Sequence, residues 1–421
     1  MVDSICIVEG EFYTRLLPLV YLRPEYDLRC GILTLREKIL KRFPNLPVTL
    51  HCRGYLAELV KQQNPGLLIN EIKGKSTLFI NGRVLMDDKL SKTLMQGGTD
   101  SIFVKENSII AANVSGSKLE ELKKRINDLY KLSDFHDLFR NEVDAKLISY
   151  PWDLVSNNRE QLINDYELLT REYNGNKLNG TIYEGAHLLD KNNIFIDEGT
   201  KIMPGAVLDA ENGPIYIGKN AKIYSNSVII GPVFIGNKSQ IRVGAKIYEN
   251  TSIGEVCKVG GEVEDSIIHS YSNKQHEGFL GHAYLGSWVN LGADTNNSDL
   301  KNNYGSIKVT INDEVIDSGL QFVGLTMGDH AKSSINSMFN TGTVVGVGSN
   351  IFGSGFPPKY VPSFSWGGGE TLTTYNIERC LEVAKRVMAR RSIQFTEIDE
   401  QLMRTVFALT GEERRKMGMP N

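Results

Sequence analysis

The chain has 421 residues, enough for two or three domains with sizeable cores, and a formal net charge of −3 with a pI near 6.2. That balance gives no footing for nucleic-acid binding, and no apolar run reaches the roughly 20 residues of a membrane-spanning helix. Five cysteines (Cys6, Cys30, Cys52, Cys257, Cys380) follow no metal-ligand spacing, and no signal peptide precedes the first strand, so a cytoplasmic protein without membrane or nucleic-acid partners is expected.

To about residue 190 the chain alternates strand-like and helix-like runs, the pattern of an α/β domain. Ile5–Val8 reads as a buried strand, Gly31–Phe43 as a helix with Leu35 and Ile39 on one face, Pro47–Cys52 as a strand and Arg53–Gln63 as a helix. Ser76–Ile80 is a strand ending at the turn dipeptide Asn81-Gly82, and Ser101–Lys105 and Ile109–Val114 continue the sheet. Leu119–Tyr130 has Leu122, Ile126 and Leu129 at helical spacing.

A different period follows. Ile217, Ile223, Ile229, Ile235, Ile241, Ile247, Ile253 and Val259 recur every sixth residue, with Gly218, Gly236, Gly254 and Gly260 directly after four of them. A period of six fits neither a helix nor a half-buried strand; it predicts short parallel strands coiling around a narrow core, a left-handed parallel β-helix. Such coils commonly carry acyl transfer to sugars. Upstream, Ile196, Ile202 and Leu208 hold another phase, which puts about three extra residues near Ala210–Pro214. Downstream, Leu285 and Leu291 keep a third phase, and Met327, Ser333, Phe339, Val345 and Ile351 resume the count. Two polar stretches, Glu262–Ala283 and Asp294–Phe322, are expected to leave the coil as loops, where chemistry is usually placed. After Gly367-Gly368-Gly369, Ile377, Cys380, Leu381, Ala384 and Val387 mark one helix, and Ile398, Leu402, Val406 and Leu409 a second. The expected organisation is therefore 1–190 α/β, 191–368 β-helix and 369–421 C-terminal helices.

The segments with chemistry begin at Thr14-Arg15-Leu16-Leu17-Pro18-Leu19 and Arg23-Pro24, after the first strand. They resemble the signature loop of sugar-1-phosphate nucleotidyltransferases, G-x-G-T-R-x-x-P-L-T-x-x-R-P-K-P. The resemblance implies a Rossmann-like domain, a nucleoside triphosphate (UTP or dTTP) and Mg²⁺. It puts Arg15 at the Arg that stabilises phosphate charge and Arg23 beside the substrate, with Arg29 as a further phosphate ligand. Departures are plain: Glu9, Glu11 and Phe12 stand where small residues belong, Glu25 takes the place of a Lys, and no Asp follows Leu78–Ile80 to bind a metal. Asp87, Asp88 and Asp153 are the candidates, and the metal ligands stay unassigned.

The run from Leu17 to Lys38, Pro151-Trp152-Asp153-Leu154-Val155 and Gly286-Ser-Trp-Val-Asn290-Leu-Gly-Ala293 are similar to a divergent, Bacteroidetes-type branch of two-domain proteins. That branch is related to the bifunctional N-acetylglucosamine-1-phosphate uridyltransferase/glucosamine-1-phosphate acetyltransferase family. Asn273-Lys274-Gln275-His276-Glu277-Gly278-Phe279-Leu280-Gly281 resembles the family's S-K-x-x-H-L-T-Y-L-G and puts His276 on its catalytic His. The chemistry fits, because an imidazole can take the proton of an amine attacking the thioester of acetyl-CoA. By the same resemblance Ala293 offers the oxyanion donor, Asn290 and Asn303 bind the acceptor sugar or orient the His, Tyr304 and Lys274 contact the acceptor, and Ser333, Ser334 and Gly353 line the acetyl-CoA groove. Adjacent subunits of a homotrimer would form that groove. Glu264 replaces a phosphate-gripping Lys and Phe279 a Tyr; Lys308 is a substitute, Asn296 and Asn297 compete with Asn303, and His269 and His282 lie near His276. The basic residues Lys385, Arg386, Arg390 and Arg391 read as a solvated helix face or a coenzyme A contact. The implied function is a transferase that makes a nucleotide-activated N-acetyl amino sugar resembling UDP-N-acetylglucosamine. The alternatives are an acyltransferase with a non-catalytic first domain, and a trimeric scaffold.

Overall fold

The computed structural model describes residues 2–98, 100–171, 173 and 175–420. Seven strands form the first sheet, in the order Leu68–Ile69, Val48–Leu50, Ser4–Val8, Ser76–Asn81, Ser108–Ser115, Ser101–Lys105, Phe139–Glu142. The first four run parallel, and Ser108–Ser115 is antiparallel to both of its neighbours. Ser4–Val8 is buried along its whole length, which explains its unbroken apolar character. The predicted helices appear at Leu35–Arg42 and Ala57–Gln63, the first opened by a Thr34/Glu37 capping box. The helix expected to reach Tyr130 runs only from Gly116 to Lys124. Its continuation is drawn off by Tyr130, which is buried and bridges to Gly10 in the sheet's crevice.

The remainder is a left-handed parallel β-helix followed by helices, as the period of six predicts. Three parallel sheets stack coil on coil, and the hexad residues face inward: Ile223, Ile235, Ile241, Ile253 and Val259 are fully buried. The coil's first strands are Thr181–Ile182 and His187–Leu189, which pair with Lys201–Ile202 and Val207–Asp209, so stacking starts ahead of residue 191. Ile202 lies over Ile223, 21 residues on, where Ile223 lies over Ile241 after 18; the difference is the three-residue insertion read from sequence. The first polar stretch does not leave the coil. Glu262–Glu264, Ile267–Ile268, Asn273–Lys274 and Phe279–Gly281 are coil strands in register with the coil below. Their coils are shorter: Val259 to Lys274 is 15 residues, so the period of six is lost while the stacking continues. The second stretch does depart, as an antiparallel hairpin of Lys308–Ile311 with Glu314–Asp317. Its Ile307, Val309 and Ile311 pack on Trp152 of the first domain.

The first domain and the coil share a core. Helix Asn158–Thr170 spans the junction: Asn158 donates to the Asn250 carbonyl (2.6 Å), and Lys38 forms a buried ion pair with Asp165 (2.6 Å), which also accepts from the backbone N–H of Ile32 and Leu33. The C-terminal helices Ile377–Ala389 and Glu397–Leu409 pack against both the first domain and the coil. Their Cys380, Leu381, Leu402 and Met403 join one cluster with Leu56 of the first domain and Phe364 of the coil.

Candidate functional site

In an open sheet with this strand order, ligands bind at the carboxyl ends of the strands where the crossing direction reverses. Here that point lies beside Ser4–Val8 and Ser76–Asn81, and the chain leaves it through Glu9-Gly10 and Gly82-Arg83. The site is occupied by the protein's own side chains. Glu9, Glu25, Arg53 and Arg83 are all buried. Glu9 accepts from the Arg53 guanidinium (3.1 and 3.2 Å) and from the backbone N–H of Arg53 (2.9 Å) and of Glu25 (3.0 Å). Glu25 accepts from the N–H of Gly10 (3.1 Å), and its second oxygen lies 3.5 Å from Arg83 Nε. Burial pushes the Glu25 carboxyl up; Arg83 opposes that shift and Glu9 adds to it. Burial is the largest single influence on Arg53 and works against its charge, but the charge and hydrogen bonds of Glu9, together with Tyr55 and Tyr13, more than offset it and hold the guanidinium above its ordinary value. The backbone donors that would cradle a phosphate therefore already serve carboxylates.

The loop itself is a 3₁₀ turn, Glu11–Leu16, not a glycine-rich wrap. Tyr13 lies under Arg53 (4.1 Å to the ring centre), and the Arg15 guanidinium sits over Phe12 (4.4 Å) and 5.7 Å from the Tyr150 ring centre. The candidate metal carboxylates are engaged elsewhere. Asp87 caps the helix at Leu90 (2.7 Å), Asp88 pairs with Arg42 (3.2 Å), and Asp153 accepts from the N–H groups of Ser149 (2.8 Å) and Tyr150 (2.9 Å). With Glu9 and Glu25 committed to arginines, these residues do not fit a Mg²⁺ ion, which asks for free oxygen ligands.

Arg23 and Arg29, placed by sequence at a phosphate, point instead at the coil. Arg23 pairs with Asp329. Arg29 pairs with Glu255 (2.9 and 3.1 Å), donates to the Ile32 carbonyl, and its backbone N–H donates to the Tyr284 hydroxyl (2.9 Å). The sequence had no means of seeing these partners, which lie 226 to 306 positions away.

On the coil, His276 is exposed at a corner, its Nε2 3.3 Å from the Gln275 amide. Lys274 is not beside it in solvent. Its side chain fills the inward position above Val259 and donates to the carbonyls of Gly260 and His276 (both 3.1 Å), and burial lowers its amine to about 8. Asn290 is exposed and accepts from Asn273 (3.3 Å), which in turn accepts from Arg391 (2.7 Å), so the C-terminal segment reaches this corner. Asn303 and Tyr304 lie exposed on the excursion that carries the hairpin, where Asn303 only caps Gly305. Asn296 instead accepts from the N–H of Phe279 (2.8 Å), and Asn297 from that of Gly281 (3.0 Å), so these two hold the strand after His276. Ser333 points inward, 2.9 Å from the Thr295 hydroxyl; Ser334 is half-buried, Ala293 accepts from the N–H of Asn336 (2.8 Å), and Gly353 is exposed.

Three groups on successive coils meet nearby. Among the described residues, Glu264, His282 and Asp299 form the one group able to offer a cation three ligand atoms, all within 4.8 Å of each other. His282 Nδ1 lies 2.9 Å from Asp299; burial works against the imidazolium, but that hydrogen bond and the neighbouring carboxylates raise its pKa. A further group was missed entirely. Tyr271, Trp288 and His330 occupy one corner of successive coils in left-handed conformation (φ 65°, 62° and 60°) and stack as a ladder, Tyr271 on Trp288 at 4.2 Å and Trp288 on His330 at 6.0 Å. Bulky residues rarely adopt that conformation. The signal was present: each stands three residues after an inward position, Ile268, Leu285 and Met327, where lower coils carry Asn220 and Lys238.

Residues 5–174 match the family of sugar nucleotidyl transferases. Over more of its length the chain is similar to the bifunctional protein GlmU of Bartonella quintana, 22% identical over 320 residues, which are 72% of this chain and 63% of that protein. The GlmU of Methanococcus aeolicus is 28% identical over 57% of this chain and 47% of its own length. The resemblance to the bifunctional family read from the sequence is thus borne out, although the chain spans less than two thirds of these relatives. The UDP-N-acetylglucosamine acyltransferase of Campylobacter jejuni, 15% identical, covers 55% of this chain and 94% of its own with a TM-score of 0.22. No helix among the described residues is long and apolar enough to cross a membrane.

Proposed function

We propose that this chain is a transferase of amino-sugar activation, joining a sugar nucleotidyl transferase domain to an acetyl-CoA-dependent acyltransferase coil, with a product of the UDP-N-acetylglucosamine kind. The observation that carries the reading is the union in one chain of the matched domain, residues 5–174, with a β-helix that presents His276 at an exposed corner. On the coil, the acceptor's amine attacks the thioester carbonyl. His276 takes the proton, the N–H of Ala293 steadies the oxyanion, and coenzyme A leaves as its thiol on receiving the proton back. His276, Asn290 and Tyr304 all lie on the surface, as residues completed by a neighbouring copy in a trimer would. Turnover of acetyl-CoA against a panel of amino sugars and their phosphates tests this, and His276→Ala should lower it about 10²–10⁴-fold with the oligomer intact. Full turnover in that variant would sink the assignment.

A second reading keeps the acyl transfer and gives the first domain no nucleotide chemistry. The carboxylate-capped crevice favours it: Glu9 and Glu25 hold the donors that a triphosphate needs, and the candidate metal carboxylates Asp87, Asp88 and Asp153 are engaged elsewhere. Calorimetric titration of the full chain with UTP and dTTP, with and without Mg²⁺, separates the two. Micromolar binding supports the bifunctional reading, and no heat supports the single activity.

A further inference from the structure

Between the first domain, the aromatic corner of the coil and the C-terminal helices lies a cavity of about 410 Å³, within the range of small-molecule sites. Two sequence runs that marked the divergent branch meet here. Arg23, Asp27, Arg29 and Arg36 come from the first, and Ser287 and Trp288 from the second, more than 250 residues later. Of the first run, Glu25 belongs to the crevice, and of the second, Asn290 and Ala293 belong to the His276 corner; these six side chains serve neither.

The charges decide what the cavity takes. Three guanidiniums line it, those of Arg23, Arg29 and Arg36. Five carboxylates face them, from Asp27, Glu37, Glu255, Asp329 and Asp399. The two imidazoles, His269 and His330, are held neutral by burial and by the nearby basic groups. The sum, three positive and five negative, disfavours a phosphate and favours a neutral or cationic ligand. On side chains that line it, four buried polar atoms lack a partner among the described residues: Arg23 Nε, Arg29 Nε, Asp329 Oδ2 and His330 Nδ1. Buried groups of this kind are normally satisfied. Their mixture of donors and acceptors matches vicinal hydroxyls, which both give and accept. Tyr271 and Trp288 add the apolar wall against which a sugar's C–H face packs.

We propose that this cavity binds an unphosphorylated amino sugar, its ammonium held by the surplus carboxylates and its hydroxyls by the Arg23–Asp329 and Arg29–Glu255 pairs. This is a second sugar site, separate from the His276 corner; only the choice of a hexosamine as probe rests on the proposed function. Isothermal titration of the full chain with glucosamine, glucose and glucosamine-1-phosphate tests it, in the wild type and in Asp329→Asn, Trp288→Leu and His276→Ala. Saturable glucosamine binding is expected, with glucose and the sugar phosphate each weaker by about tenfold. Asp329→Asn and Trp288→Leu should each weaken glucosamine by about tenfold or more, and His276→Ala should leave it unchanged. Thermal unfolding confirms that each variant is folded; if Asp329→Asn is not, Trp288→Leu decides. Tighter binding of the sugar phosphate, no saturable glucosamine binding, or loss in His276→Ala with retention in Trp288→Leu would overturn the proposal. Glucosamine binding retained by a protein that never turns over acetyl-CoA would leave the cavity standing and sink the coil chemistry alone.

Discussion

The crevice of the first domain and the cavity at the domain junction are built from the same pairings, arginine against carboxylate, and reach opposite ends. At the crevice, Glu9 and Glu25 tie up Arg53, the N–H of Gly10 and the loop backbone, with Phe12 and Tyr13 laid on the guanidiniums. At the junction, Arg23–Asp329 and Arg29–Glu255 brace two walls and leave about 410 Å³ between them. The difference lies in what surrounds each pair. A carboxylate on the loop stands where a phosphate would, and fills the space. A carboxylate on a separate domain fixes the guanidinium at a distance, and keeps the space open.

The strongest way to break this comparison is to delete one partner of the sealed network. Glu9→Ala strands the Arg53 guanidinium and two backbone N–H groups in a buried site, and should cost about 3–5 kcal/mol in urea unfolding. A loss below about 1 kcal/mol would mean that water replaces the carboxylate, and the crevice would then be a hydrated site open to ligands.

A lone buried cation sharpens the point about pairing. Arg53 has a carboxylate and keeps its charge; Lys274 has only two carbonyls, and burial lowers its amine to about 8. Between that value and 10.5 the unfolded chain holds a proton that the folded one releases, so stability rises with pH across that window. Lys274→Met removes this dependence. The variant should be more stable than wild type at pH 7, and that advantage should shrink by about 2 kcal/mol by pH 9.5. An advantage that does not change with pH would show that the ammonium stays charged inside the coil.

The coil was legible because its inward residues repeat, and a repeat needs no partner to be seen: Ile223, Ile241 and Val259 announce themselves by spacing alone. The reading failed at Glu262–Ala283 because coils of 15 to 17 residues break the period while preserving the stack, and because the inward residue there is Lys274 rather than an aliphatic. The first domain's strands were legible for the ordinary reason of buried apolar runs. Its charged residues were not. Arg15, Arg23 and Arg29 follow one another in a nucleotidyltransferase pattern, yet spacing fixes their order and not their direction. Two of the three turn away from the crevice because Glu255 and Asp329 arrive from the coil. The His276 corner shows a milder form of this: His276 itself is exposed, while Lys274, which the resemblance gives to the acceptor sugar, is turned inward by the strand's alternation.

The smallest expected effect tests the open half of the comparison. Burial lowers the His330 imidazole to about 3, with Lys332 and Arg23 adding to the shift, so the folded chain keeps it neutral while the unfolded chain protonates it below about 6.5. Stability should therefore fall as pH drops through that window, by about 1 kcal/mol between pH 7 and 5.5 for this one group. His330→Gln removes the contribution, and Asn or Gln at this position keeps a polar group toward the cavity. Urea midpoints of wild type and variant at the two pH values should differ accordingly, the wild type losing more. Equal losses would mean that the imidazole takes up its proton inside the fold. The ladder would then be wet where it meets the cavity, and a bound sugar would have to displace that water rather than fill partnerless space.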